Sequence, residues 1–110
     1  MAFIDLNDVQ QNELVPGYHA RFVHSENMTF AYWTIEAGAA LPNHSHPHEQ
    51  VANVTKGEFE LTVDGTSRVM TPGQVAVIPG GIFHSGKAIT DCQIIDVFYP
   101  IREDYKNKFQ

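Results

Sequence analysis

Three histidines and a glutamine, split between two segments, are the residues of this chain best suited to chemistry. The first segment reads Gly38-Ala-Ala-Leu-Pro-Asn-His44-Ser-His46-Pro-His-Glu-Gln50, with Gly57 beyond it. The second reads Gly73-Gln-Val-Ala-Val-Ile-Pro79-Gly-Gly81-Ile-Phe-His84. Imidazole nitrogens together with an amide oxygen make a ligand set for a divalent first-row metal. His44 and His46 lie two apart. On a strand, such side chains share a face, so both rings can converge on one point. Gln50 has the same parity, although Pro47 argues against an unbroken strand. The Pro79-Gly-Gly81 turn can bring a new strand carrying His84 beside the first. His44, His46, Gln50 and His84 are therefore the candidate ligands of one ion. Nickel, zinc, manganese, iron and cobalt all accept such a set, so the metal's identity stays open.

Positioning these residues needs strands. Short alternating runs dominate the chain, and helical periodicity is weak. Tyr18 to His24 is one candidate strand. Met28 to Glu36 is another, with Met28, Phe30 and Tyr32 on one face and Trp33 and Ile35 on the other. Val51 to Lys56 leads through Gly57 into Glu58 to Val63. Asp64-Gly65 predicts a type I′ hairpin turn, and Thr66 to Met70 returns from it. Val75 to Ile78, Phe83 to Ala88 and Cys92 to Tyr99 complete the series. Many short strands punctuated by Gly and Pro predict an all-β sandwich or antiparallel barrel, whose interior can hold a ligand site. The first dozen residues are read as a strand pairing with a second subunit, which would cover a sheet edge. Ile101 to Gln110 is either a short helix or an extended tail.

Composition narrows the function. A chain of 110 residues is read as one domain, residues 1–110, large enough to bury its own core. The net charge is −6, and the seven basic residues are scattered, so phosphate-driven nucleic-acid binding is not expected. No segment approaches a membrane span, and the N-terminal residues show no basic start or apolar run, so a secretory signal is not expected. The single Cys92 lies beside Gln93-Ile94-Ile95 and reads as a buried free thiol. A cytoplasmic location is expected.

The two histidine segments resemble the paired motifs of the cupin superfamily. Gly38, His44, His46, position 50 and Gly57 fit the first motif. Gly73, Pro79, Gly81 and His84 fit the second, with Lys87 or Ala88 where an Asn often stands. The resemblance implies a single-domain jelly-roll barrel, commonly a homodimer. Gln50 departs from the Glu found in most metal cupins. The run His-Ser-His-Pro-His-Glu-Gln is also similar to a narrower group, the pectin degradation proteins called KdgF, in which a Gln replaces that Glu. Those proteins convert 4,5-unsaturated uronates from pectin or alginate breakdown to the linear 4-deoxy-5-keto uronate. The resemblance implies a metal-dependent, isomerase-type ring opening and ketonisation of a small anionic sugar. It further implies roles for an Asp, a Phe and an Arg, matched here by Asp96, Phe98 and Arg102 in Asp-Val-Phe-Tyr-Pro-Ile-Arg.

Physical chemistry bears on the same residues. A neutral amide at position 50 leaves the metal's double charge uncompensated, which favours an anionic ligand. Asp96 interrupts the apolar run Ile94-Ile95-Asp96-Val97-Phe98, and a buried carboxylate is costly unless paired or used. It shares a face with Ile94 and Phe98. An outward-facing carboxylate on an edge strand is the alternative. Asp96 is the candidate proton shuttle. Arg102 is the candidate bidentate grip on a carboxylate, against a solvated tail charge. Phe98 is a candidate wall for the sugar face, against a plain core position. His48 is placed at the rim or behind the ligands. His19 and His24 carry no metal-like spacing. Two other readings of a cupin remain open here: a dioxygenase on a small organic substrate, and a non-catalytic sugar- or metal-binding barrel.

Overall fold

Alternating burial along each segment makes the strands. A computed structural model describes residues 2–109; Met1 and Gln110, at the ends of two stretches considered above, lie outside the described residues. Among the described residues the strands are β1 (Gln11–Val15), β2 (Tyr18–His24), β3 (Thr29–Ile35), β4 (Ala40–His44) and β5 (Glu49–Lys56). They continue with β6 (Phe59–Val63), β7 (Thr66–Met70), β8 (Val75–Ile78), β9 (His84–Ala88) and β10 (Cys92–Tyr99). A 3-10 turn at Leu6–Asp8 precedes them, and one helix, α1 (Glu103–Lys108), follows. The strands form an antiparallel six-stranded sheet, ordered β1-β2-β3-β10-β5-β8, and an antiparallel four-stranded sheet, ordered β4-β9-β6-β7. This is the expected all-β jelly roll.

The period of two is plainest in β10. Cys92, Ile94, Asp96 and Phe98 point inward and are buried, while Gln93 and Tyr99 are exposed. In β3 the inward set is Thr29, Ala31, Trp33 and Ile35. These faces meet Phe59, Leu61 and Met70 of the smaller sheet in one core. Each fully buried side chain such as Phe98, Ile35 or Ile78 contributes about 1.5–3 kcal/mol of hydrophobic stabilisation. The β6–β7 hairpin turns through Asp64 at φ 50° and Gly65 at φ 79°, the positive angles a type I′ turn needs. Cys92 is a buried free thiol, as expected, with its sulfur 3.1 Å from the Glu58 carbonyl.

One expectation changes and two open alternatives are decided. The N-terminal strand starts only at Gln11 and pairs with β2 of its own chain, Asn12 opposite Ala20. Its partner is therefore an intrachain hairpin, closed through Gly17 at φ 85°, where a side chain would be strained. Asp96 lies on a central strand between β3 and β5, which removes the outward edge alternative. The C-terminal stretch is a short helix, seated by Tyr105 and Phe109 on Phe22 of β2, with ring centroids 4.7 and 5.3 Å away.

Candidate metal centre

The candidate ligands gather at one end of the barrel by two routes. His44 closes β4 directly opposite His84, the first residue of β9, with ring centroids 4.3 Å apart. Gln50 enters on β5, opposite Ile78 on one side and Phe98 on the other. His46 is different. β4 ends at His44, so strand parity does not unite His44 with His46 as expected. His46 sits in the irregular link containing Pro47, and that link is held by the Pro79-Gly80-Gly81 turn. The Gly81 N–H donates to the His46 carbonyl at 2.8 Å. Gly80 lies so close to the Pro47 carbonyl that a Cβ would collide with it. The two segments are thus locked together by backbone contacts, and glycine is required for the approach.

The geometry fits a metal ion. His44, His46 and His84 each offer a ligand nitrogen, and these atoms lie within 4.8 Å of one another. Each ring turns its Nδ1 to a backbone carbonyl: His44 to Pro42 at 2.8 Å, His46 to His48 at 3.1 Å, His84 to Ile82 at 2.9 Å. A carbonyl only accepts, so Nδ1 carries the proton and Nε2 is left with its lone pair, the tautomer a metal ligand needs. His84 Nε2 is buried with no hydrogen-bond partner. His46 Nε2 faces Gln50 Oε1 at 3.1 Å, so two lone-pair-bearing atoms confront one another. A cation between them would turn that repulsion into ligation. Burial, helped by the Arg102 charge and the neighbouring histidine, lowers His46 to about 4. Burial likewise lowers His84. Neutral imidazoles are the form that binds metal.

Asp96 lines the same pocket as the candidate ligands, 8% exposed and inward-facing. The Trp33 indole Nε1–H donates to its Oδ2 at 3.0 Å. Burial raises the carboxyl to about 7, against opposing pulls from Gln50, Trp33 and Arg102. Asp96 Oδ1 meets no donor of full hydrogen-bond geometry, yet the Gln50 amide lies close enough to favour the ionised form. A single amide can thus turn its oxygen to the histidines and its N–H to Asp96, which a Glu at position 50 could not do. A carboxyl poised near neutrality can both take and give a proton.

Arg102 and Phe98 complete the mouth. Arg102 is 6% exposed, not a solvated tail charge, and its guanidinium carbon sits 4.7 Å from the Phe98 ring centroid. Phe98 itself is enclosed, with the His46 ring edge-on at 5.6 Å. Its ring thus neighbours both His46 and the Arg102 guanidinium. His48 is half-buried and stands outside the histidine triad; its carbonyl orients His46. His24 pairs through Nδ1 with Thr29 Oγ1 at 2.8 Å. His19 lies between Glu13 and Glu36 on the far end of the fold's hairpin.

Trp33, Asp104 and Tyr105 belong to this region and were not singled out from the sequence. Trp33 carried a readable signal, since it shares the inward face of β3 with Ile35 and pairs with Ile94 beside Asp96. Asp104 and Tyr105 carried none, because a six-residue helix has too little period to show a face.

Comparison with known proteins agrees with this architecture. A family model described as "Cupin domain" matches residues 31–98. The chain is 26% identical over 106 residues to a "Pectin degradation protein KdgF" of Dickeya dadantii (strain 3937), covering 94% of this chain and 96% of that protein. The solved structure of KdgF from Halomonas sp. superposes with a TM-score of 0.88 at 27% identity, covering 94% and 97% of the two chains. A RmlC-like cupin from Shewanella frigidimarina gives 0.90 at 27% identity over 96% of each chain.

Proposed function

The chain belongs to the cupin domain family, and from that premise we propose that it opens 4,5-unsaturated uronates and converts them to linear 4-deoxy-5-keto uronates. The observation carrying this reading is the convergence of Asp96 and Arg102 on one pocket with His44, His46, Gln50 and His84. That pocket holds a proton carrier, a carboxylate-binding cation and a metal-ready donor set. A divalent first-row ion held by those four residues would supply Lewis-acid stabilisation of negative charge on substrate oxygen. The neutral Gln50 leaves that charge undiminished for an anionic sugar.

The protein's own residues do the rest. Arg102 holds the substrate carboxylate through paired N–H donors. Ionised Asp96 removes the anomeric hydroxyl proton as the bond between C1 and the ring oxygen breaks. The ring oxygen stays on C5 as an enolate, and C1 becomes an aldehyde. Asp96 then delivers the same proton to C4, leaving a ketone at C5 and a regenerated carboxylate. Atoms balance, and no oxidant is used. Phe98 supports the Arg102 guanidinium through its ring face. Proton NMR of unsaturated galacturonate incubated with the metal-loaded protein tests this: the 4-deoxy-5-keto product should form faster than in buffer. Consumption yielding an oxidised product instead would favour an oxygenase.

We further propose that the protein works as a cytoplasmic homodimer, in keeping with the free thiol of Cys92. A second copy would cover the apolar row Val77, Val51, Val97 and Phe30, which is in register across the outer face of the larger sheet. A single-chain mass by light scattering would remove the dimer.

A further inference from the structure

Arg102 is held more tightly than a carboxylate-binding arginine needs for its charge alone. A guanidinium offers five N–H donors in a rigid plane. The Asp104 carboxylate takes two of them: Nε donates to Oδ1 at 3.0 Å and Nη2 to Oδ2 at 2.8 Å. The donors left over are both N–H groups of Nη1 and one of Nη2. One from each nitrogen points along the remaining edge, the pair that a second carboxylate can meet side by side. Two nearly perpendicular rings also flank it on adjacent sides, with the guanidinium carbon 3.8 Å from the Tyr105 centroid and 4.7 Å from that of Phe98. The backbone is pinned too, since the Arg102 N–H donates to the buried Thr29 Oγ1 at 2.9 Å.

The two members of this ion pair differ in place. Arg102 lines the pocket of the candidate metal centre and is the one Lys or Arg among the described residues that do so. The Asp104 side chain is 57% exposed and approaches from the solvent side. An exposed ion pair would contribute little by itself. Here one partner is buried, stacked and turned toward the site, so the pair sets direction as well as charge.

We propose that Asp104 and Tyr105 are positioning residues, which fix the Arg102 plane and present its free edge to the carboxylate of the sugar. This rests on the reading that Arg102 receives a uronate carboxylate. It makes α1 part of the specificity of the site: planar carboxylates are favoured, and neutral sugars gain nothing from the clamp.

Calorimetric titration of the zinc-loaded protein with D-galacturonate, a saturated sugar carrying the same carboxylate, tests the clamp without requiring turnover. The proteins are wild type, Asp104→Asn, Arg102→Ala, the double variant and Glu103→Gln. Asp104→Asn should weaken binding about tenfold, and Arg102→Ala at least as much. The double variant should bind no worse than Arg102→Ala, because Asp104 acts only through the guanidinium. Glu103→Gln, an exposed change in the same helical turn, should stay within about twofold of wild type. Galactose should bind all of them alike. Wild-type affinity in Asp104→Asn, an undiminished Asp104 penalty in the Arg102→Ala background, or no galacturonate binding by wild type would each overturn the proposal. Parallel rates on unsaturated galacturonate separate the two readings. The predicted binding pattern without turnover would sink the ketonisation and leave the clamp standing. With turnover, Asp104→Asn should raise KM and leave kcat within about twofold.

Discussion

Among the described residues two clusters meet the distance requirement for holding a metal, and they differ in everything else. His44, His46 and His84 form one; Glu13, His19 and Glu36 form the other. In the first, every Nδ1 is committed to a backbone carbonyl, and His84 Nε2 is buried with no partner. In the second, His19 Nε2 already sits 2.9 Å from Glu36, and Glu13 also accepts the Gly17 N–H at 3.1 Å. The glutamate side chains there are 52% and 65% exposed. Proximity alone therefore does not make a site. A buried lone pair with nothing to bind is a demand for a ligand; a solvated pair that satisfies itself is an ion pair.

The largest effect should come from removing that lone pair. His84→Ala should lower zinc affinity by more than about 100-fold and abolish turnover with it, whereas His19→Ala should leave zinc content unchanged. Plasma emission analysis after dialysis decides this, and full zinc in His84→Ala would erase the contrast. Next, Asp96→Asn should keep its metal and lose about 100-fold or more in kcat. Near-normal turnover by that variant would take Asp96 out of the proton path.

The third effect is on stability. Burial raises Asp96 from an ordinary 3.8 to about 7, so between those values the folded protein binds a proton that the unfolded chain has lost. The stability linked to this group is full below about 4 and drains away as pH rises toward 7. His46, lowered to about 4, works the other way: its contribution is complete near neutrality and is lost as pH falls from 6.5. Comparing chelated wild type with Asp96→Asn isolates the first. Wild type should lose ground to the variant between pH 4 and 7, and a flat difference in unfolding midpoint would contradict it. The smallest effect belongs to the exposed cluster, where Glu36→Gln should change unfolding free energy by less than about 1 kcal/mol.

The candidate ligands were legible in the sequence as residues; the way the fold brings them together was not. Glycine, proline and alternating apolar residues marked β6, β7, β8 and β10 within a residue or so, because a half-buried strand and its turn leave a period and a punctuation. Parity correctly turned Ile94, Asp96 and Phe98 inward. The same argument failed for His46, where no strand exists to carry it. What seats His46 is a backbone hydrogen bond from Gly81 and the packing of Gly80 on Pro47, contacts between segments far apart in the chain. The N-terminal strand could not be given its partner from its residues, since pairing depends on which edge is free. For Arg102 the residues alone left a solvated tail charge open beside the carboxylate grip, because its burial comes from Phe98, Thr29 and a helix that folds back, none of which leaves a local pattern.

The most direct measurement follows the conjugated C4=C5 ultraviolet absorbance of unsaturated galacturonate with wild-type protein, after chelation, and after zinc or nickel is returned. Absorbance should fall much faster than by the uncatalysed ring opening, an effect abolished by the chelator and restored by metal. A protein that demonstrably carries metal yet leaves the absorbance decaying at the rate of buffer alone would contradict the proposed ketonisation.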